Sequence, residues 1–240
     1  VQDDSSDLIF ELSGTDSSSI SINNVTGELK FKDFPDYENK NTYSAIARVY
    51  DEEYFAQKAF QVFITNLNDN TPIITSSASF SVVENQTGIG TITATDDDGD
   101  TLSFSLSGTD ASSMSINSSS GVLVFNSAPD YETKTSYSAT VTASDGTNST
   151  TQDITITITD IDDTAPVFTS SASFSAAENQ TSIGIVTATD EDTNDSSITF
   201  GISGTELSIT SSGILTFVNA PDYETKSSYS ATVTASDGTN

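Results

Sequence analysis

Residues 77–96 read SASFSVVENQTGIGTITATD, and residues 171–190 read SASFSAAENQTSIGIVTATD, a near copy that begins 94 residues later. Further along the chain, residues 128–148 return almost unchanged as residues 220–240, after a two-residue deletion near Glu206. The tetrapeptide Pro-Asp-Tyr-Glu also occurs three times, at 35–38, 129–132 and 221–224. Self-similarity at a fixed period indicates a tandem array of one structural unit.

Within the repeat, apolar residues alternate with Ser and Thr. Residues 154–159 read ITITIT, and residues 138–143 read SATVTA. Alternation with period two predicts strands that bury one face. In the complete repeat we predict strands near 78–83, 89–95, 102–107, 112–116, 121–125, 136–144 and 152–160. Seven short strands in this space predict an all-β fold, an immunoglobulin-like Greek-key sandwich repeated in tandem as a rod-like array.

Two short, acidic segments that end in proline separate the repeats: NLNDNTP at 66–72 and DIDDTAP at 160–166. We therefore predict a complete repeat at 69–162. We also predict a partial repeat at 1–68 without its first strands, and another at 163–240 without its last strand. This register favours a window from a longer array. The alternative is strand exchange, in which a neighbouring copy supplies the missing strands.

The composition is strongly acidic, with 35 Asp and Glu against 7 Lys and Arg and a net charge of −28. Phosphate binding needs clustered cations, so nucleic acid is excluded as a partner, and anionic membrane surfaces are disfavoured. Such a charge opposes compaction by self-repulsion, which points to neutralisation by bound cations. The alternative is a solvated acidic surface suited to salty surroundings.

Several chemistries are excluded by the residues that the chain lacks. It has no His and no Cys, so disulfides, His- or Cys-ligated zinc sites and His-dependent catalytic triads cannot form. A glycosidase would need one carboxylate pair, whereas the acidic pairs recur in every repeat and no Trp is present to bind sugar. No apolar run approaches the ~20 residues that span a bilayer. We expect a protein that is not an enzyme and does not insert into a membrane in this segment.

Five acidic motifs recur in a fixed order. In the complete repeat they are Glu84-Asn85, Ala94-Thr95-Asp96-Asp97-Asp98, Asp130-Tyr131-Glu132, Ala143-Ser144-Asp145 and the linker Asp160-Ile161-Asp162-Asp163. Their order and spacing resemble the cadherin repeat along the whole chain. The background rich in Ser and Thr and free of Cys is similar to bacterial cadherin-like repeats. The resemblance implies calcium ions, held between successive repeats by both repeats and their linker.

Carried over by position, the second junction would use nine carboxylates: Glu84, Asp130, Glu132, Asp160, Asp162, Asp163, Asp190, Asp192 and Asp237, with Asn194 as a possible addition. The first junction would use Asp36, Glu38, Asn68, Asp69, Asp96, Asp98 and Asp145. Asn66 replaces the leading acid of the first linker, so we expect fewer or weaker ions there. Asp4 and Asp51 would form half a site at the start of the chain. Asp97 and Asp100 are assigned to turns, which Asp favours.

The resemblance implies a calcium-dependent, extracellular or cell-surface adhesion array, stiffened at its junctions and belonging to a large adhesin or a self-assembling fibre. Its expected partners are neighbouring repeats of the same chain, other copies of itself, or a cell-surface protein or polysaccharide. One alternative is a carbohydrate-binding module, although the pattern places most Phe and Tyr on the buried phase. A concave surface that carries two or more exposed Tyr beside polar groups would favour it. Another alternative is an inert stalk.

Overall fold

The computed structural model describes residues 8–192 and 197–240. The described part of the middle repeat has nine strands: β6 (Ile73–Ile74), β7 (Ser79–Val83), β8 (Gly88–Thr91), β9 (Ala94–Thr95), β10 (Ser103–Ser107), β11 (Met114–Ile116), β12 (Val122–Phe125), β13 (Ser136–Ser144) and β14 (Ser149–Thr159). One sheet has the order β10-β13-β14-β7, with β7 parallel to β14. A second sheet has the order β11-β12-β8, and β6 pairs with β9.

The flanking repeats use the same elements. The first contains β1 (Ile9–Ser13), β2 (Ile20–Ile22), β3 (Leu29–Phe31), β4 (Thr42–Tyr50) and β5 (Phe55–Phe63). The third contains β15 (Val167–Phe168), β16 (Ser182–Ile185), β17 (Ala188–Thr189), β18 (Thr199–Ile202), β19 (Leu207–Ile209), β20 (Ile214–Phe217) and β21 (Val233–Ser236). The predicted all-β fold of tandem sandwiches is confirmed.

The core of the middle repeat follows from the period-two pattern. Ile154, Ile156 and Ile158 on β14 point inward and are at most 2% exposed. The Thr residues between them face solvent. The inward residues pack between the two sheets against a cluster that includes Leu123 and Val141. Burying a side chain of this size stabilises the fold by roughly 1.5–3 kcal/mol.

Two predicted strands differ from the structure. The strand predicted at 89–95 is divided into β8 and β9, because β8 pairs with β12 whereas β9 pairs with β6. Ile92, between them, still donates its N–H to the carbonyl of Gly121 beside β12 at 2.9 Å. Gly121 has φ +69°, and a Cβ at this position would lie 2.1 Å from the Ile92 carbonyl oxygen, so only glycine fits. The strand predicted at 112–116 begins with a 3₁₀ turn, Ala111–Ser113.

The expectation that aromatic residues follow the buried phase fails in the first repeat. Phe34 is fully exposed, and Tyr54, Phe55 and Phe63 are largely exposed. In the middle repeat, by contrast, Phe125 is buried against Tyr137. Within 8–192 and 197–240, no helix is both long enough and apolar enough to cross a bilayer.

Candidate metal junctions

Glu84 is the most deeply buried acid at the second junction, with a residue exposure of 2%. It follows β7, and its Oε2 accepts a hydrogen bond from the Tyr131 N–H at 2.8 Å. Its Oε1 accepts one from the Ile161 N–H at 2.9 Å. One carboxylate therefore joins the end of β7 to the Pro-Asp-Tyr-Glu segment and to the linker.

Two overlapping groups of carboxylates surround the second linker. One ligand atom from each of Glu84, Glu132 and Asp160 lies within 4.8 Å of the others, and the same holds for Glu132, Asp163 and Asp192. The structure thus brings together acids from the middle repeat, the linker and the third repeat. Burial, a hydrogen bond with Asp192 and the charges of Glu84 and Asp192 raise the pKa of Glu132 to about 7. Burial and the Asp192 charge also raise the pKa of Asp160.

The remaining predicted ligands of this junction are held by their own turns or by the neighbouring repeat. Asp192 Oδ2 accepts hydrogen bonds from the Asp163 N–H, at 2.8 Å, and from the Thr164 N–H. These donors lower the pKa of Asp192, although burial opposes them. Asp190 Oδ1 accepts from the Asp192 N–H at 3.0 Å.

Three further acids of the second junction follow the same principle. Asp162 Oδ2 accepts from the Thr239 hydroxyl of the third repeat at 2.8 Å. Asp237 Oδ1 accepts from the Asn240 N–H at 2.6 Å. The Asp130 carboxylate accepts from the Thr133 N–H and hydroxyl, so it caps its own turn.

The first junction brings Glu38, Asp69 and Asp98 together, each with a ligand atom within 4.8 Å of the others. Burial and the neighbouring Asp98 raise the pKa of Glu38. Asp98 accepts from the Asp69 N–H and from both the side chain and the backbone of Asn70. The Asn70 and Asp69 donors lower the pKa of Asp98 against the opposing effect of burial.

Asn68, Asp145 and Asp36 complete the predicted set of the first junction. Asn68 Oδ1 accepts from the Asn148 amide at 3.0 Å. Asp145 Oδ1 accepts from the Asn148 N–H at 2.6 Å, which with other donors lowers the pKa of Asp145 against burial. Asp36 Oδ1 accepts from the Asn39 N–H at 3.0 Å, so it caps a turn as Asp130 does.

One pattern in the carboxylates bears directly on metal binding. Asp96 and Asp145 at the first junction, and Asp237 at the second, each use Oδ1 to accept backbone N–H groups. In each of these residues Oδ2 is buried and accepts no hydrogen bond, and the same is true of Oδ1 in Asp160. A buried acceptor without a donor is costly, so such atoms call for an explanation. A bound cation provides one, because it needs acceptors alone.

Sequence reasoning missed several residues that the structure places at the junctions. Asn70 and Asn148 bridge the first linker to the middle repeat. Asn85, in a left-handed conformation with φ 61°, donates to Asp163 Oδ2 at 2.6 Å. Asp100, assigned to a turn, has a carboxylate oxygen within 4.8 Å of those of Asp96 and Asp98.

A further group of carboxylates lies outside the two junctions and is exposed. It consists of Glu178, Asp222 and Glu224 of the third repeat. This group could have been predicted from the repeat, because its acids occupy the positions of Glu84, Asp130 and Glu132. Asn194 and Asp4 lie outside the described residues. Asp51, the other half of the site predicted with Asp4, accepts from the N–H groups of Glu53 and Tyr54, as a turn residue does.

Comparison with known proteins identifies the repeat. The Cadherin domain family matches residues 78–159. Human protocadherin Fat 4 is 33% identical over 246 aligned residues, which cover 94% of this chain and 5% of that protein. Mouse cadherin EGF LAG seven-pass G-type receptor 2 is 32% identical over 237 residues, covering 90% of this chain and 8% of the receptor. The chain therefore spans a small part of the length of these relatives.

Solved structures agree with this assignment. Repeats 22–24 of mouse cadherin-23 superpose with a TM-score of 0.77 at 24% identity, covering 99% of this chain and 83% of that one. Cadherin domains 3–6 of protocadherin gamma B2 give a TM-score of 0.73 at 25% identity, covering 95% and 61%. The relatives named are animal proteins, so the bacterial character expected from the composition stays a prediction. The chain belongs to the cadherins and consists of tandem cadherin repeats.

Proposed function

We propose that calcium ions bind at the junctions between successive repeats and hold the repeats in a fixed orientation, within an extracellular adhesive array. The observation that carries this proposal is the convergence of buried carboxylate oxygens from two repeats and their linker, several of which accept no hydrogen bond. The repeat boundaries 1–68, 69–162 and 163–240 are part of the proposal. Each boundary falls within a linker, so each linker has acids of one repeat before it and acids of the next repeat after it.

The donor set fits calcium. Calcium takes 6–8 oxygen ligands from carboxylates, carbonyls and amide side chains in flexible geometry, and each junction offers such oxygens without nitrogen or sulfur ligands. At the second junction the ligands would be Glu84, Asp130, Glu132, Asp160, Asp162, Asp163, Asp190, Asp192 and Asp237. At the first junction they would be Asp36, Glu38, Asn68, Asp69, Asp96, Asp98 and Asp145, with Asp100 as an addition from the structure.

The mechanism we propose is mechanical. Two like charges about 4 Å apart repel each other by about 4 kcal/mol at an effective dielectric constant of about 20. Positive charge from the bound ion would cancel this repulsion around the linker. Glu84 already fixes the linker to the middle repeat through the Ile161 N–H. Asp192 fixes the same linker to the third repeat through the Asp163 N–H. Neutralisation would therefore let both attachments persist together.

The adhesive role comes from the family to which the chain belongs, and the chain covers only a small part of its relatives. Calcium-stiffened repeats would hold an adhesive surface away from the cell, or would pair with other copies. The proposed location is the cell surface or the extracellular space, where calcium reaches the affinity range of about 10⁻⁴–10⁻³ M that is typical of extracellular modules.

Small-angle X-ray scattering tests the proposal. The chain is titrated from chelator to about 10 mM calcium, which exceeds the typical range for extracellular calcium modules. We expect the maximum dimension to increase and the distance distribution to sharpen, because fixed junctions keep the repeats extended. A control variant, Asp97→Asn, removes an exposed acid outside the carboxylate groups and should respond as the unmodified chain does. A scattering curve that ignores calcium would contradict the proposal.

A further inference from the structure

The outer face of the first repeat's main sheet has a chemistry of its own. We define the first-repeat face as the outward side chains of β1, β4 and β5 in three cross-strand rows. The strand register aligns Ile9 with Tyr50 and Phe55, then Glu11 with Arg48 and Gln57, and then Ser13 with Ile46 and Ala59. Ala45, on the opposite side of β4, is buried, which identifies the outer side.

The middle repeat presents the same positions with different residues. Its corresponding rows are Ser103 with Ser144 and Ser149, Ser105 with Thr142 and Thr151, and Ser107 with Thr140 and Asp153. Every position carries a hydroxyl or a carboxylate, as expected for a solvated sheet face. The aromatic and aliphatic residues of the first-repeat face are therefore not required by the fold.

The first-repeat face is both accessible and ordered. Phe55 is 65% exposed, and Arg48 and Gln57 in the next row are exposed as well. The Arg48 guanidinium lies over the Phe55 ring, 5.0 Å from its centroid. The Tyr50 hydroxyl donates to Glu11 Oε1 at 2.8 Å. Contacts of this kind restrict the side-chain rotamers before any ligand arrives, which lowers the entropic cost of binding.

Size and charge narrow the possible partners. Three strands about 4.8 Å apart and five residues at about 3.3 Å each give the face a footprint on the order of 250 Å². A specific protein interface buries about 800 Å² on each partner, roughly three times this area. A second copy at this face would also bring a further net charge of −28, and the face has no junction carboxylates through which calcium could neutralise it. Anionic lipids and nucleic acids are repelled for the same reason.

We propose that the first-repeat face binds an uncharged polysaccharide. The C–H faces of sugar rings pack on aromatic rings, which the Tyr50–Phe55 row supplies. Sugar hydroxyls exchange hydrogen bonds with planar polar side chains, and Glu11, Arg48 and Gln57 form the next row. A neutral ligand avoids the repulsion that the acidic chain imposes on anions. This inference goes beyond the calcium-dependent role, because the face contains none of the junction carboxylates.

Affinity gel electrophoresis tests this inference with the 240-residue chain. Native gels are cast with laminarin, hydroxyethyl cellulose, galactomannan or dextran, and each is run with calcium and with chelator. We expect at least one polysaccharide to retard the chain under both conditions. The variant Tyr50→Ser with Phe55→Ser installs the residues that the middle repeat carries, and should weaken binding at least about tenfold. The matched control, Ser149→Ala with Thr151→Ala on the same face of the middle repeat, should bind as the unmodified chain does.

Four outcomes would overturn the inference. In the first, none of the four polysaccharides retards the chain. In the second, the serine variant binds as strongly as the unmodified chain, with circular dichroism showing that both are folded. In the third, sedimentation velocity shows a dimer that the serine variant abolishes, which would assign the face to pairing between copies. Retardation that requires calcium would point to the junctions instead and would also count against this face.

Discussion

The two junctions are built on the same backbone but satisfy their polar groups differently. At the first, amide side chains do much of the bridging: Asn148 donates to Asn68 and to the Asn70 carbonyl, and Asn70 donates to Asp98. At the second, Asp160 and Asp162 stand where the first linker has Asn66 and Asn68. Amides both donate and accept hydrogen bonds, whereas ionised carboxylates only accept.

The same backbone can therefore need more or fewer bound cations, depending on whether its linker carries amides or carboxylates. At the positions that the sequence contains for both junctions, our assignment places eight carboxylates at the second junction and six at the first, because Asn66 and Asn68 stand opposite Asp160 and Asp162. Burial and like charge raise the pKa of Glu132 to about 7, and they also raise the pKa of its counterpart Glu38 at the first junction. At the second junction the pKa of Asp160 is raised as well, whereas the first linker has the uncharged Asn66 at that position. The first junction is therefore partly self-satisfied, and the second depends more strongly on bound ions.

The largest effect should follow from Glu84→Ala. This change removes the buried carboxylate that accepts from the N–H groups of Tyr131 and Ile161, and hydrogen bonds to a charged group contribute about 1.5–3 kcal/mol each. We expect urea unfolding in chelator to show the middle repeat destabilised by roughly 3–6 kcal/mol, the sum of these two contributions.

The third repeat offers a matched control for this change. Glu178 occupies the same position but is exposed, and its Oε2 accepts from the Tyr223 N–H at 3.1 Å. Glu178→Ala should cost about 1 kcal/mol or less, because the released N–H is near solvent. Equal losses for the two variants would show that burial of Glu84 is not what matters.

An exchange of linker residues should produce the next largest effect. Asp160→Asn with Asp162→Asn gives the second linker the amides of the first, and Asn66→Asp with Asn68→Asp does the reverse. We expect calorimetry to show calcium affinity at least about tenfold weaker in the first variant, and stronger in the second. If both exchanges leave the affinity unchanged, linker charge does not distinguish the two junctions.

Acidification should have the smallest of the three effects, and it should act mainly at the second junction. Glu132 must lose its proton to bind calcium, and its pKa is about 7. The calcium affinity of the second junction should therefore fall about tenfold between pH 8 and pH 6. Without calcium, acidification should have the opposite effect on stability: it should increase the free energy of unfolding. The folded state binds the extra proton, so the free energy of unfolding decreases as pH rises from 4.5 to about 7.

Glu132→Gln provides the control for the pH effect, because it removes the titrating group and keeps the side-chain size. Calorimetry on this variant at both pH values should show weaker calcium binding with little remaining pH dependence. A pH profile identical to that of the unmodified chain would assign the titration to another group. The raised pKa of Asp160 makes that residue the first alternative.

The repeat, the all-β class and most strand positions could be predicted from the sequence alone. The reason is that period-two alternation directly specifies which side of a strand is buried, as Ile154, Ile156 and Ile158 show. The sequence also predicted which acids lie near each junction, because copies of a motif at constant spacing occupy the same place in every repeat. It misjudged the strand at 89–95, which is divided because the chain changes its pairing partner from β12 to β6, a segment distant from β12 in sequence.

Which carboxylates lie close together, and how this changes their pKa values, could be seen only in the folded chain. That Glu132 meets both Glu84 and Asp192 depends on two repeats and a linker packing together, and the pKa of about 7 follows from that packing. The aromatic first-repeat face likewise required the register of β1, β4 and β5, because residues far apart in sequence become neighbours only across strands. Local patterns specify which side of a strand is buried, whereas contacts between distant segments determine the pKa values of the acids and which residues form one surface.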